Sequence, residues 1–97
     1  MPTYVVLGKW TEQGVRNAKD APNRREQVRA AVEKVGGRMI GAWWTQGAYD
    51  TVGVFEFPDD ETATSAALAT AMAGSIRTET MRAYTAEEMQ RIIQKLP

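Results

Sequence analysis

The sequence predicts an α+β fold in which a four-stranded antiparallel sheet is covered by helices on one side. Two observations lead there. Four β-rich stretches and two helical stretches follow one another in the order β-α-β-β-α-β, and one more amphipathic stretch closes the chain. No apolar run approaches the roughly 18 residues that a membrane helix requires, so both faces of every element must be accounted for in water.

Thr3 to Trp10 (TYVVLGKW) reads as the first strand. Thr11 to Gly14 reads as a turn and Val15 to Asp20 as a short helical turn. Pro22 suits the first helical position, where its missing N–H costs nothing. Val28, Ala31, Val32 and Val35 then make one apolar stripe, and Arg24, Arg25, Arg29 and Glu33 are expected to face water. Gly36-Gly37 ends that helix by supplying a left-handed residue. Met39 to Thr45 is the second strand, Gln46-Gly47-Ala48 a tight turn, and Tyr49 to Phe57 the third strand. Pro58 stops the ladder. Asp59, Asp60 and Glu61 open an alanine-rich helix to about Ala73, with Leu68 and Met72 its only large apolar residues, and Gly74 caps it. Ile76 to Tyr84 is the fourth strand. Thr85-Ala86-Glu87-Glu88 is a capping box, and Met89, Ile92, Ile93 and Leu96 line one face of a terminal helix.

This order is the ferredoxin-like split βαβ. Two right-handed crossovers put both helices on one face of the sheet. Strand alternation makes Val5, Leu7, Val52, Val54, Met81 and Ala83 the expected helix-facing set. Their neighbours form the expected bare face: Tyr4, Val6, Gly8 and Trp10; Tyr49, Thr51, Gly53, Phe55 and Phe57; Ile76, Thr78, Thr80, Arg82 and Tyr84. A face so apolar calls for a cover. A second copy of the chain is the simplest one, giving a dimeric α/β barrel.

Composition narrows the chemistry. Cysteine and histidine are absent, which removes thiol nucleophiles, histidine bases, disulfides and zinc sites built on either residue. Nothing in the sequence calls for a cofactor or a metal. Twelve basic residues balance twelve acidic ones, which argues against nucleic acid as a partner. Residues 1–38 carry eight basic and four acidic side chains and residues 39–97 the reverse, an asymmetry suited to attraction between subunits or simply to two solvated faces. The first residues lack a signal-peptide layout, so a cytoplasmic setting without membrane contact is the expectation.

Several stretches resemble the GYD domain family of small bacterial and archaeal proteins. They are Trp10-Thr11-Glu12-Gln13-Gly14, Gly47-Ala48-Tyr49-Asp50, Phe57-Pro58-Asp59-Asp60, Gly74-Ser75-Ile76-Arg77-Thr78-Glu79-Thr80 and Arg82-Ala83-Tyr84-Thr85-Ala86-Glu87-Glu88. The resemblance implies one ferredoxin-like domain over residues 1–97, dimerising as an α/β barrel. It brings no established activity.

Three clusters are candidates for a site. At Gly47-Ala48-Tyr49-Asp50, Gly47 suits a positive φ and Asp50 can bond nearby backbone N–H groups. Alternatively, Tyr49 and Asp50 stand at the rim of a pocket as donor and acceptor. In the fourth strand Arg77, Thr78, Glu79, Thr80 and Arg82 alternate polar side chains. Either Arg77 or Arg82 pairs across strands with Asp50, Glu56 or Glu79, or an arginine grips an anionic or carbonyl ligand. Trp10, Trp43 and Trp44 pack a core or interface, or stack on a flat ligand; consecutive Trp43 and Trp44 point to opposite faces. The ligand-binding candidates are therefore Trp10, Trp44, Tyr49, Asp50, Thr78, Thr80 and Arg82. Asp59, Asp60 and Glu61 cap a helix and have no calcium-loop spacing. Arg16, Lys19, Arg24 and Arg25 read as a solvated basic face, with phosphate binding at the helix start as the alternative.

The functional expectation is a small-ligand-binding or regulatory homodimer, with enzymatic activity left open. The alternatives are a cofactor-independent, monooxygenase-like enzyme acting on a small aromatic substrate within a dimeric barrel, and a purely structural assembly protein.

Overall fold

A computed structural model describes residues 1–97. Four strands, β1 (Thr3–Trp10), β2 (Arg38–Trp44), β3 (Thr51–Glu56) and β4 (Ile76–Ala83), form one sheet in the order β2-β3-β1-β4. All three pairings are antiparallel. The helices are α1 (Glu12–Arg16), α2 (Ala21–Lys34), α3 (Asp60–Met72) and α4 (Ala86–Gln94), with a 3-10 turn at Ala18–Asp20. The α+β, ferredoxin-like expectation holds.

Local chemistry sets the boundaries. Thr11, expected in a turn, is the N-cap of α1: its hydroxyl oxygen accepts from the Gly14 N–H at 3.1 Å and its O–H donates to the Gly74 carbonyl at 2.6 Å. The Thr11 N–H also bonds the Ser75 carbonyl at 3.1 Å. A Cβ on Gly14 would stand 2.0 Å from that Ser75 oxygen, so only glycine lets α1 sit on the start of β4. Asp59 caps α3 through the Thr62 N–H at 2.7 Å, and Thr85 with Glu88 completes the capping box of α4. Gly36, Gly47 and Gly74 all take positive φ. The hairpin between β2 and β3 is wider than the expected tight turn. Asp50 bonds Thr45 through its carbonyl and Gly8 through its N–H, so Tyr49 and Asp50 belong to the loop and β3 begins at Thr51.

The two faces of the sheet are the reverse of the expectation. Tyr4, Phe55 and Phe57 pack under the helices with Val32 and Ala63, joined by Val6, Val28, Met39 and Ala66. Val5, Leu7, Val52, Val54, Met81 and Ala83 lie on the open side instead, by the register that pairs Val5 with both Val54 and Met81. Both phases of TYVVLG are apolar, so alternation alone does not choose a side. Size does: each buried aromatic removes about 150–250 Å² from water, more than valine or alanine can.

Helix α2 lies over β2 and α3 over β4. Leu68 and Met72 point outward, so α3 covers the sheet with small residues, alanine and threonine. Helix α4 has no extensive packing on any other element, and Met89, Ile92, Ile93 and Leu96 are all exposed. The chain is correspondingly open. Its accessible surface is 6758 Å², where a compact monomer of 10.8 kDa shows about 5,500 Å². Its radius of gyration is 14.6 Å against about 12.5 Å for a compact chain of this length.

Candidate functional site: a cleft between the two covering helices

The helix-covered face of the sheet is filled at one end only. At the end where β1 begins, Tyr4, Phe57 and Phe55 meet edge to face and stacked at 5.7 and 6.0 Å, beneath Val32 and Ala63. The Tyr4 hydroxyl donates to the Asp60 carboxylate at the start of α3. Burial first, and that bond second, push the phenol up to about 12, so Tyr4 is a fastening and not an acid or base near neutrality.

Between the helices and the sheet a cleft of about 750 Å³ runs from Trp10 and Trp44 to the packed cluster, where Val32, Phe55, Phe57 and Ala63 form its far wall; its volume is within the size range of small-molecule sites. Its floor includes Val6, Gly53 and Phe55, and its walls include Val28 of α2 and Ala66 and Thr70 of α3. Because α3 presents Ala63, Ala66, Thr70 and Ala73 at helical spacing, it has too little bulk to close the gap. The side chains of Thr51 and Ile76 close over Gly8, where a Cβ would meet them within 2.4 Å.

Of the sequence candidates, the cleft gathers Trp10, Trp44, Thr78 and Thr80. Trp44 pairs with Thr51 on the covered side. Trp43 pairs with Val52, and its ring lies over Gly41. Three candidates are elsewhere. Asp50 accepts from the Trp10 N–H at 2.9 Å and ties the hairpin to β1. The Tyr49 hydroxyl donates to Glu79 at 2.9 Å, a bond that raises its pKa, and the Lys9 ammonium sits 5.4 Å from its ring centre. Arg82 pairs with Glu88 at 3.1 Å, donates to the Thr3 and Ala83 carbonyls, and stacks over Tyr84 at 4.6 Å. It anchors α4 to the sheet. Its partner is none of those expected across strands, and those acids bond elsewhere: Glu56 pairs with Arg38 at 2.7 Å and Glu79 accepts from Tyr49. Glu88 is held below the usual carboxylate range by the Thr85 N–H first and by Arg82 second.

Two cleft residues were expected in solvent. The side chain of Arg24 is only 21% exposed and that of Arg25 34%. Arg24 Nη1 donates to the Asn17 carbonyl at 2.8 Å, while its Nη2 is buried without any hydrogen-bond partner. A buried donor left in that condition costs about 1–3 kcal/mol. Arg25 Nε donates to the Ala42 carbonyl at 3.3 Å and ties α2 to β2. The signal was available: Arg24 precedes Val28 by four residues and Arg25 precedes it by three, so both belong to the apolar stripe of α2.

Comparison with known proteins fits this architecture. The GYD domain family profile matches residues 4–93. The chain belongs to the GYD domain family. Among curated relatives is the glutamine synthetase and cystathionine beta-lyase binding protein of Thermus thermophilus. It is 32% identical over 90 residues, which cover 92% of this chain and 95% of the relative. The stretches that resemble the GYD family serve mainly as joints here. Thr11 and Gly14 meet Gly74 and Ser75, Asp50 meets Trp10, and Arg82 meets Glu88.

Proposed function

We propose that this GYD protein is a homodimeric binding protein that couples a small-ligand compartment, the cleft, to a partner protein. The observation that carries the reading is the open face of the sheet. Trp43, Val52 and Leu7 make one row across it and Val54, Val5 and Met81 the next. Polar pairs flank these rows, the Arg38–Glu56 ion pair toward one end and the Tyr49–Glu79 hydrogen bond toward the other. An apolar centre with a polar rim is the anatomy of a protein interface. The excess surface of the chain, about 1,200 Å² over a compact monomer, exceeds the roughly 800 Å² per partner of a standard interface. Two copies packed face to face would form the α/β barrel and leave both clefts on the outside.

A binding role agrees with the name of the Thermus relative, and glutamine synthetase and cystathionine β-lyase are the first partners to test. Light scattering should return twice the protomer mass at micromolar concentration. Val54→Glu should halve that mass while the far-ultraviolet spectrum is unchanged. A wild-type protein of protomer mass at tens of micromolar would end the dimer reading. Biolayer interferometry with the two purified enzymes of the same organism tests the partner reading. Saturable binding of either supports it, and no response from both rejects them as partners.

A further inference from the structure

We infer that the cleft binds a carboxylate carried on an apolar, flat or chain-like body, with Arg24 taking the carboxylate. This rests on reading the cleft as a ligand compartment and adds the chemical class. It does not depend on dimerisation, because the residues that carry it, Arg24, Trp10, Trp44 and Phe55, are on the helix-covered side of the sheet, although Trp43 and Val52 border both the cleft and the proposed interface.

Three features point to that class. The first is the unpartnered guanidinium nitrogen. Arg24 Nη2 is buried at the cleft wall with nothing to bond, although Asn17 satisfies Nη1. The nearest carboxylate, on Asp20, is 4.0 Å from Nη1 and more than half exposed, so it leaves Nη2 unpaired. Nη2 has almost no accessible surface where it stands, so the guanidinium must turn toward the cleft that Arg24 lines; a planar anion seated there would then satisfy it with a charge-assisted bond.

The second feature is the balance of charge. Arg24 and Arg25 line the cleft, and Glu61, near the start of α3, is the one acidic residue that does. Arg25 already spends its Nε on Ala42. One free donor edge in apolar surroundings suits a monoanion. The cleft has no glycine-rich backbone loop of the kind that cradles phosphate.

The third feature is the remainder of the lining. Trp10, Trp44, Val6, Val28 and Phe55 supply apolar and aromatic surface. The hydroxyls of Thr78 and Thr80 are on the floor strand β4. Such a surface favours an acyl chain or a fused ring over a sugar or a small polar acid. Charge gripping was a role open to Arg82 from the sequence. In the fold Arg82 is committed to Glu88 and two carbonyls, and Arg24 holds the free donor.

The test uses full-length protein and the fluorescence of Trp10 and Trp44, with 2-naphthoate, decanoate and neutral 2-naphthalenemethanol as probes. At least one carboxylate should produce a saturable change and bind about tenfold or more tightly than the alcohol. Arg24→Met, which keeps the aliphatic stem, should lose about tenfold for the carboxylate and nothing for the alcohol. Arg24→Lys should recover part of the loss, and Arg38→Met, outside the cleft, should bind as wild type does. Equal binding of naphthoate and naphthalenemethanol by wild type would overturn the carboxylate and keep the compartment. No saturable change with any probe up to millimolar concentration would overturn both. The wild-type comparison decides the matter even if Arg24→Met fails to fold.

Discussion

The two ends of the covered sheet face are built from the same three elements and end up in opposite states. At the Tyr4 end, three aromatic rings fill the space under α2 and α3. Toward the Trp10 end, the same two helices stand over a cleft whose far wall is the cluster itself, Val32, Phe55, Phe57 and Ala63. The difference lies in side-chain volume. Helix α3 offers alanine and threonine along its whole inner face, so each end of the sheet must supply its own bulk. Phe55 and Phe57 supply it at one end. At the other, Gly53 and the threonines do not. Packing stabilises the first end, and the second is left free to hold something else.

The largest expected contrast comes from removing a ring at each end. Phe57→Ala should cost about 3–5 kcal/mol in urea unfolding, since the ring is 4% exposed and its neighbours cannot collapse into the gap. Trp44→Ala should cost under about 1.5 kcal/mol although it deletes a larger side chain, because Trp44 is already 48% exposed. Equal losses would mean that the cleft is closed in solution.

Much of this architecture was legible in the chain, for identifiable reasons. Caps, glycine stops and the capping box are short-range devices, and Asp59, Thr85, Gly36 and Gly74 act where their neighbours place them. The strand order followed from the element order. The side of the sheet that meets the helices did not, because Tyr4, Val5, Val6 and Leu7 offer apolar side chains to both faces. Sequence also pointed to Trp10, Trp44, Thr78 and Thr80, which do line the cleft. Tyr49, Asp50 and Arg82 carry equally reactive groups, but their partners are remote in sequence and use them as fastenings. Arg24 was missed because an arginine on an apolar stripe resembles a solvated one until the packing of α2 is known.

A smaller contrast follows from adding bulk instead of removing it. Ala63→Leu falls among the buried rings and should cost about 1–3 kcal/mol through overpacking. Thr70→Leu projects into the cleft, where its methyl groups have room. It should be neutral or stabilise by up to about 1 kcal/mol, while weakening any ligand the cleft holds. Thermal unfolding of both variants ranks them. A Thr70→Leu protein as unstable as Ala63→Leu would show the hollow end to be packed.

The smallest expected effect concerns the carboxylate that starts α3 at the filled end. The Thr62 backbone N–H, and then its hydroxyl, hold the exposed Asp59 below the ordinary carboxylate range, with slight desolvation opposing them. A carboxyl whose folded pKa is depressed stabilises the fold fully above its unfolded pKa. That contribution disappears as pH falls through the lower, folded value. Melting temperature should therefore be flat near pH 6 and decline on acidification below about pH 4. Asp59→Asn keeps an oxygen that can accept from Thr62 but carries no charge, so its decline should be shallower. The residual slope belongs in part to Glu88, which is depressed by Thr85 and Arg82 at the other helix start. Circular dichroism melts of the two proteins from pH 6 to pH 2 measure the difference. Superimposable profiles would show that the charge on Asp59 adds nothing to the cap, and that the hydrogen bond alone anchors α3 over the rings beneath it.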